Sequence, residues 1–189
     1  MGLEIEKFKI LERNSREDAM NNNSRMVIRR AERQDGPALL GLIDSLADYE
    51  KLPRPDAEAK QRLLHDAFVQ KRFDVLFVDW DERTVGYAVL LETYSTFIAR
   101  PTLFLEDLFV LPEFRGRHVG YALFRSCVQE ADRRQCGRME WLVLDWNKPA
   151  LGFYDHAGAN QLKGWVPFRL NREKIQAIAR DPEPLLRRY

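Results

Sequence analysis

The clearest change of hydrophobic pattern lies in the segment Leu103–Leu123. Its first part, Leu103–Val110, is almost all Leu, Phe and Val, which is typical of a central strand covered on both faces. Pro112 cannot donate a backbone hydrogen bond, so it ends the strand. From Val119 the apolar residues recur every three or four positions, which predicts a helix. The segment 115–120 is therefore expected at the N-terminus of that helix.

The residues at this helix entrance suit an anion. Helix N-termini offer unpaired N–H groups and the positive end of the dipole, and here Arg115, Arg117 and two glycines precede or open the helix. This combination favours a pyrophosphate, although a purely structural strand-turn-helix is an open alternative at this stage. Neither G-x-G-x-x-G nor G-x-x-x-x-G-K-[ST] follows the strand, which excludes Rossmann and P-loop nucleotide sites.

The same periodicities predict the remaining elements. Strands are expected at 26–29, 73–80, 85–93, 139–144 and 167–170, with 160–165 left between strand and loop. Helices are expected at 35–49, 57–69, 119–135, 150–156 and 172–179. The strands 73–80 and 85–93 form a predicted hairpin. This mixture indicates an α/β or α+β protein.

Length and composition narrow the class further. A chain of 189 residues with 45% hydrophobic residues can fill one core, so we expect a polar extension at 1–25, a single domain at 26–180 and a tail at 181–189. Lys plus Arg number 30 and Asp plus Glu 29, which does not favour a nucleic-acid partner. We find neither a membrane-length apolar run nor a secretion signal, and predict a cytoplasmic protein. The three histidines are scattered, so no metal is expected.

At the helix entrance the chain resembles the GNAT superfamily of acyl-CoA-dependent N-acyltransferases. The family pattern is R/Q-x-x-G-x-G/A, and this sequence has Arg115-x-x-His118-x-Gly120, with histidine replacing the first glycine. Three further stretches resemble the spermidine/spermine and thialysine acetyltransferase branch: LADYE (46–50), LEDLFV (105–110) and DWNKPALGFY (145–154). The likeness extends over about residues 26–171.

The resemblance implies a mixed, mostly antiparallel central sheet of about six to seven strands flanked by helices. It also implies acetyl-CoA as cosubstrate and a homodimer. The residues implied in cofactor binding come from three stretches of the chain. They are Leu108, Phe109 and Val110; Arg115, Gly116, Arg117, His118, Val119, Gly120 and Tyr121; and Asn147, Pro149, Ala150 and Tyr154.

The implied reaction is transfer of an acetyl group to a primary amine by direct attack on the thioester. Glu106 is the candidate base, because an acid inside an apolar strand must find a partner or lie at a site. Tyr154 is the candidate acid for the leaving thiolate, and Tyr49, Glu50, Phe97 and Glu106 are candidate substrate contacts.

Simple strand alternation would place Asp107 on the face opposite Glu106 in a structural role, unless a bulge intervenes. The expected acceptor is a diamine, polyamine or lysine-like compound. Ser95 and Lys163 stand where polyamine-acetylating relatives are acidic, so a shorter amine is favoured over a long polyamine. Acetylation of a protein lysine or N-terminus, and a CoA-binding sensor without turnover, are the alternatives.

Overall fold

The computed structural model describes residues 25–180. The predicted tail and all but the last residue of the predicted extension lie outside this range. The described residues divide into two compact units, 25–142 and 143–180. The single domain expected from the sequence stays a prediction.

A five-stranded sheet forms the first unit. Its strands are β1 (Met26–Arg30), β2 (Asp74–Trp80), β3 (Arg83–Ser95), β4 (Arg100–Val110) and β5 (Arg138–Trp141), and they lie side by side in that order. The first three pairings are antiparallel, whereas β4 and β5 are parallel. The predicted hairpin and the predicted strand before Pro112 are confirmed; β3 and β4 are longer than expected, whereas β2 begins one residue later.

Two helices cover one face of this sheet. They are α1 (Gly36–Glu50) and α2 (Ala57–Phe68), and α1 ends where Lys51 adopts a left-handed conformation. The α1 face holds a cluster of buried side chains from the helix and from alternate strand positions. Its members are Leu39, Leu42, Val75, Phe77, Tyr87, Val89 and Phe109. Burying apolar area of this kind is the main source of stability for the fold.

The third helix, α3 (Val119–Arg133), packs its apolar stripe on the sheet through Val119, Leu123 and Cys127. Its C-terminal end is tied to the strands by ion pairs. Glu130 accepts from Arg30, Arg133 and Arg134, and Arg134 also pairs with Asp74 at the start of β2.

The second unit contains two described helices, α4 (Lys148–His156) and α5 (Arg172–Arg180). Both agree with the predicted helices. The predicted strand at 167–170 is wrong, as residues 157–171 contain no strand, and the sheet has five strands rather than six to seven. Pro167 removes a ladder donor, and Gly164 takes a positive φ of 89° that interrupts an extended segment.

Candidate active site

The strand β4 is irregular at the position of its two acids. In the pairing with β3, Leu105 lies opposite Leu90. The next pair is Asp107 with Val89, which leaves Glu106 as an extra residue on β4. A bulge of this kind interrupts the alternation of side chains between faces. The simple alternation that assigned Glu106 and Asp107 to opposite faces therefore does not hold.

The strand β4 also loses one neighbour at this point. The parallel ladder with β5 covers only Thr102–Leu105. No strand among residues 25–180 pairs with that edge of β4 over residues 106–110. The backbone N–H and C=O groups within Leu108–Val110 that point to this edge can therefore hydrogen-bond an extended ligand.

Two carboxyl groups lie close enough to Asp107 to influence its ionisation. Glu50 is the last residue of α1, Glu106 is the exposed bulge residue and Asp107 follows it. Negative charge on Glu106 and on Glu50 disfavours ionisation of Asp107. Burial raises the pKa of Glu50. A cationic ligand would relieve this repulsion, so the cluster favours a positively charged substrate.

The carboxyl group of Asp107 is the most strongly perturbed of the three. It lies on the α1 face, where the Tyr87 hydroxyl donates a hydrogen bond of 3.2 Å to its Oδ2 atom. Burial is the largest cause that raises the pKa of Asp107 to about 6, and the Tyr87 hydrogen bond lowers it in part. The same burial and the nearby carboxylate raise the pKa of the Tyr87 hydroxyl.

The entrance to α3 has the backbone geometry of an anion site. Gly116 and His118 both take positive φ angles, 74° and 60°, and His118 is the residue before the first turn. Left-handed residues among right-handed ones turn successive N–H groups to one side, which forms a concavity for anions. A Cβ placed at Gly116 would meet no atom within 4 Å, so the backbone there faces open space. These features fit a pyrophosphate.

The two arginines of this segment rest on aromatic rings. The guanidinium carbon of Arg115 lies 4.4 Å from the centre of the Tyr49 ring, and its Nε donates to the Val110 carbonyl oxygen at 2.9 Å. The guanidinium of Arg117 lies 5.9 Å from the Trp80 ring. Both contacts hold cations over aromatic faces.

The candidate substrate residues of the first unit are separated in space. Tyr49 and Glu50 are half-buried at the end of α1, and Glu50 is one of the three carboxyl groups described above. Phe97 is 99% exposed in the turn between β3 and β4. Six residue steps of β4 lie between Arg100 and Glu106, about 20 Å at the rise of an extended strand. Phe97 is therefore remote from Glu106 within one chain.

The remaining candidates belong to the second unit, at the start of α4 or on it. Asn147 caps this helix, because its side chain accepts from the backbone N–H of Ala150 at 3.3 Å. Pro149 lies in the first turn, where a missing N–H does no harm. Tyr154 is half-buried and packs edge-on against Phe153, with ring centres 5.1 Å apart.

No helix among residues 25–180 is both long and apolar enough to cross a bilayer. The same residues contain no group of three or more His, Cys, Asp or Glu side chains that could hold a metal ion.

Comparison with known proteins identifies the family. The model of the acetyltransferase (GNAT) family matches residues 39–159. The chain is 32% identical over 166 residues to thialysine N-epsilon-acetyltransferase of Bos taurus, covering 82% of this chain and 97% of the relative. The chain belongs to the GNAT acetyltransferase family. It is therefore an enzyme of the N-acetyltransferase class, and the predicted family and branch are confirmed.

Two other known proteins are similar to this chain. The chain is 32% identical over 163 residues to spermidine/spermine N(1)-acetyltransferase-like protein 1 of Homo sapiens, of which it spans 23%. The solved aminoglycoside N-acetyltransferase AAC(6')-Iy in complex with CoA has a TM-score of 0.67 and 21% identity, covering 80% of this chain and 97% of that chain. This second likeness shows the shared mixed α/β fold.

Two features of the site depend on contacts between distant parts of the chain. The bulge at Glu106 is the condition under which simple alternation no longer assigns Asp107 a structural role, and it is set by the register of β4 against β3. The guanidinium of Arg115, a residue predicted to bind the cofactor, lies over the Tyr49 ring. Nothing in the local sequence pairs residues so far apart along the chain.

Proposed function

We propose that this GNAT enzyme transfers an acetyl group from acetyl-CoA to the primary amine of a small diamine, polyamine or lysine-like compound. The observation that carries the proposal is the pair of carboxyl groups at the β4 bulge, Glu106 and Asp107, together with Glu50 at the end of α1, whose charge acts on Asp107. A primary amine reaches the enzyme mainly as an ammonium ion, since its pKa is about 10.4. Three neighbouring acids attract that cation and can accept its proton.

Relatives support the same substrate class. The thialysine and spermidine/spermine enzymes carry names of compounds with free amino groups. This chain is similar to the first over nearly the whole length of the relative. We propose an amine of comparable or smaller size.

We propose that the cosubstrate is held by groups of this chain in three stretches. Backbone groups of Leu108, Phe109 and Val110 would hold the extended arm along the free edge of β4. The segment 115–121 would hold the pyrophosphate at the α3 entrance. Asn147, Pro149 and Ala150 would contribute from α4. Bound there, acetyl-CoA supplies an activated thioester.

Glu106 is the proposed base. At pH 7 the free form of an amine with a pKa near 10.4 costs about 4.6 kcal/mol, which makes a positioned proton acceptor worthwhile. Glu106 is exposed at the bulge, where a substrate amine can reach it directly or through water. The bulge makes Asp107 the second candidate, because its raised pKa of about 6 suits proton exchange near neutrality.

Tyr154 is the proposed acid. A phenol with an ordinary pKa of about 10 stays protonated at pH 7 and can give its proton to a thiolate. Its position on α4, a few residues after Pro149, agrees with the family motif from which the role was inferred.

The direct test is thiol release from acetyl-CoA with a panel of acceptors: diamines, polyamines, lysine, thialysine, ornithine and lysine-containing peptides. We expect turnover with the free amines and at least tenfold lower kcat/KM with the peptides. Turnover with peptides alone would favour a protein acetyltransferase. Binding of CoA without turnover on any acceptor would refute the proposal.

A homodimer stays a prediction that rests on the family resemblance, and a cytoplasmic location stays a prediction that rests on the sequence pattern. Light scattering after size-exclusion chromatography measures the first directly, and a mass near 22.2 kDa would contradict it. Fractionation of cells that express the tagged protein tests the second.

A further inference from the structure

The Arg115 side chain connects the cofactor segment to the acceptor side of the site. Its guanidinium carbon is 4.4 Å from the Tyr49 ring centre and 5.4 Å from that of Phe109. Its Nε also donates to the Val110 carbonyl oxygen at 2.9 Å. The Arg115 side chain thus contacts the end of α1 and the end of β4, and its backbone is part of the loop that enters α3.

A continuous set of ring contacts leads from there to the carboxylates. The Tyr49 and Phe109 rings are 6.3 Å apart, and the Phe109 and Tyr87 rings 6.4 Å apart, both tilted. The Tyr87 hydroxyl donates to Asp107. Aromatic pairs in this range pack favourably and restrict each other's orientation. Movement of Arg115 would therefore change the orientation of the residues that face the amine.

We infer that Arg115 is a positioning residue for the amine acceptor, which acts by holding Tyr49 and the α1 terminus against the cofactor loop. The inference rests on the proposed amine acetylation. It differs from the role that the family motif implies, in which the side chain would bind the pyrophosphate. In this arrangement the backbone at Gly116–Gly120 holds the phosphates, and the Arg115 guanidinium is committed to an aromatic ring and a carbonyl group.

Phosphate binding and positioning of Tyr49 predict different effects when lysine replaces Arg115. Lysine keeps the positive charge and binds phosphate well, so a phosphate-binding role survives Arg115→Lys to a large extent. Lysine lacks the planar guanidinium and carries its donors on one terminal atom, so it cannot stack flat on Tyr49 and donate to the Val110 carbonyl oxygen at the same time. Arg115→Gln removes the guanidinium and the charge together, so the difference in CoA Kd between Arg115→Gln and Arg115→Lys isolates the effect of the charge on phosphate binding.

The experiment measures the KM for a small amine, kcat, and the Kd for CoA in Arg115→Lys, Arg115→Gln, Tyr49→Leu and the Lys/Leu double variant. Arg125→Lys, an exposed change on α3, is the matched control. We expect Arg115→Lys to raise the amine KM about three- to tenfold, the scale of one lost cation–π contact. The CoA Kd should stay within about twofold, since the charge persists. The double variant should resemble Tyr49→Leu, because one contact cannot be lost twice.

Two results would overturn the inference. One is a raised CoA Kd in Arg115→Lys with an unchanged amine KM, which would assign the side chain to the phosphates. The other is a fold-change in amine KM in the double variant that equals the product of the two single-variant fold-changes. That result would mean that Arg115 does not act through Tyr49.

Failure of the proposed function gives a different result, because then the unchanged enzyme has no amine turnover. The contact is still measurable in that case by a urea-unfolding cycle of the same variants. Non-additive losses of stability, with the CoA Kd unchanged in Arg115→Lys, would support the link between Arg115 and Tyr49. Additive losses would overturn it.

Discussion

Replacement of Asp107 by Asn should make the protein more stable at neutral pH while it impairs the site. The folded chain holds this carboxyl group buried beside Tyr87, with a pKa of about 6 against an ordinary value of 3.8. A carboxyl group whose pKa is raised by folding is favourable only when protonated. The stabilisation that this carboxyl group gives the folded chain is therefore complete below pH 3.8 and is lost as the pH rises through 6.

The magnitude follows from the difference between the two pKa values. From 3.8 to about 6 is about 2.2 pH units, which at about 1.36 kcal/mol each gives an upper limit of about 3 kcal/mol. Asn keeps the shape and an oxygen that can accept from Tyr87, so little packing is lost. We expect Asp107→Asn to raise the free energy of unfolding by about 2 kcal/mol at pH 8 and to match the original protein near pH 4.

Urea unfolding followed by circular dichroism between pH 4 and pH 8 measures this difference. Tyr87→Phe is the companion variant: it removes the hydrogen bond that lowers the pKa of Asp107, so the pH-dependent loss should extend to higher pH. A stability difference between Asp107→Asn and the original protein that does not change with pH would refute the reasoning. So would a variant that is less stable at pH 8.

Three further changes test other parts of the account. Tyr154→Phe should slow thiol release about 100-fold or more with CoA affinity within about twofold, and unchanged turnover would remove Tyr154 from the acid role. Hydrogen bonds from Arg133 and two other arginines lower the pKa of Glu130 to about 2 from 4.5, so Glu130→Gln should cost about 1–2 kcal/mol at pH 7. That cost should shrink as the pH falls below 4.5 towards 2, and a constant cost in acid unfolding curves would contradict it. His118→Gly should change the free energy of unfolding by less than about 1 kcal/mol, since relief of the left-handed conformation opposes the entropy of glycine, whereas His118→Val should lower it by about 1–2 kcal/mol.

The parts of the fold that local pattern controls were predictable. The apolar run before Pro112 and the helical spacing after Val119 correspond to β4 and α3, because both follow from the period of the backbone. Asn is a typical helix-capping residue, and the Asn147 side chain caps α4. These features depend on residues a few positions apart, which a sequence displays directly.

Features that depend on pairing between distant segments were not predictable. The bulge at Glu106 arises from the register between β3 and β4, and no residue of the LEDLFV stretch announces it. The contact of Arg115 with Tyr49 joins segments 66 positions apart, and only the folded chain brings them together. The strand predicted at 167–170 is absent for a local reason. Pro167 and Gly164 disfavour the hydrogen-bond ladder that the apolar residues alone would suggest.

The replacement of the motif glycine by His118 has a physical explanation in the structure. The position takes a φ of 60°, a left-handed conformation that glycine adopts without strain. Histidine is one of the few other residues enriched there. The left-handed backbone turn at this position is therefore retained despite the substitution.

The central claim is that carboxylates at the β4 bulge activate a small amine. The most direct measurement is kcat/KM for the best small amine across pH 6 to 10, in the original protein and in Glu106→Gln. The account predicts a loss of about 100-fold or more near pH 7 in the variant, which narrows as the pH approaches the pKa of the amine itself. Equal kcat/KM in the two proteins across neutral pH would contradict the assignment of Glu106 as the base.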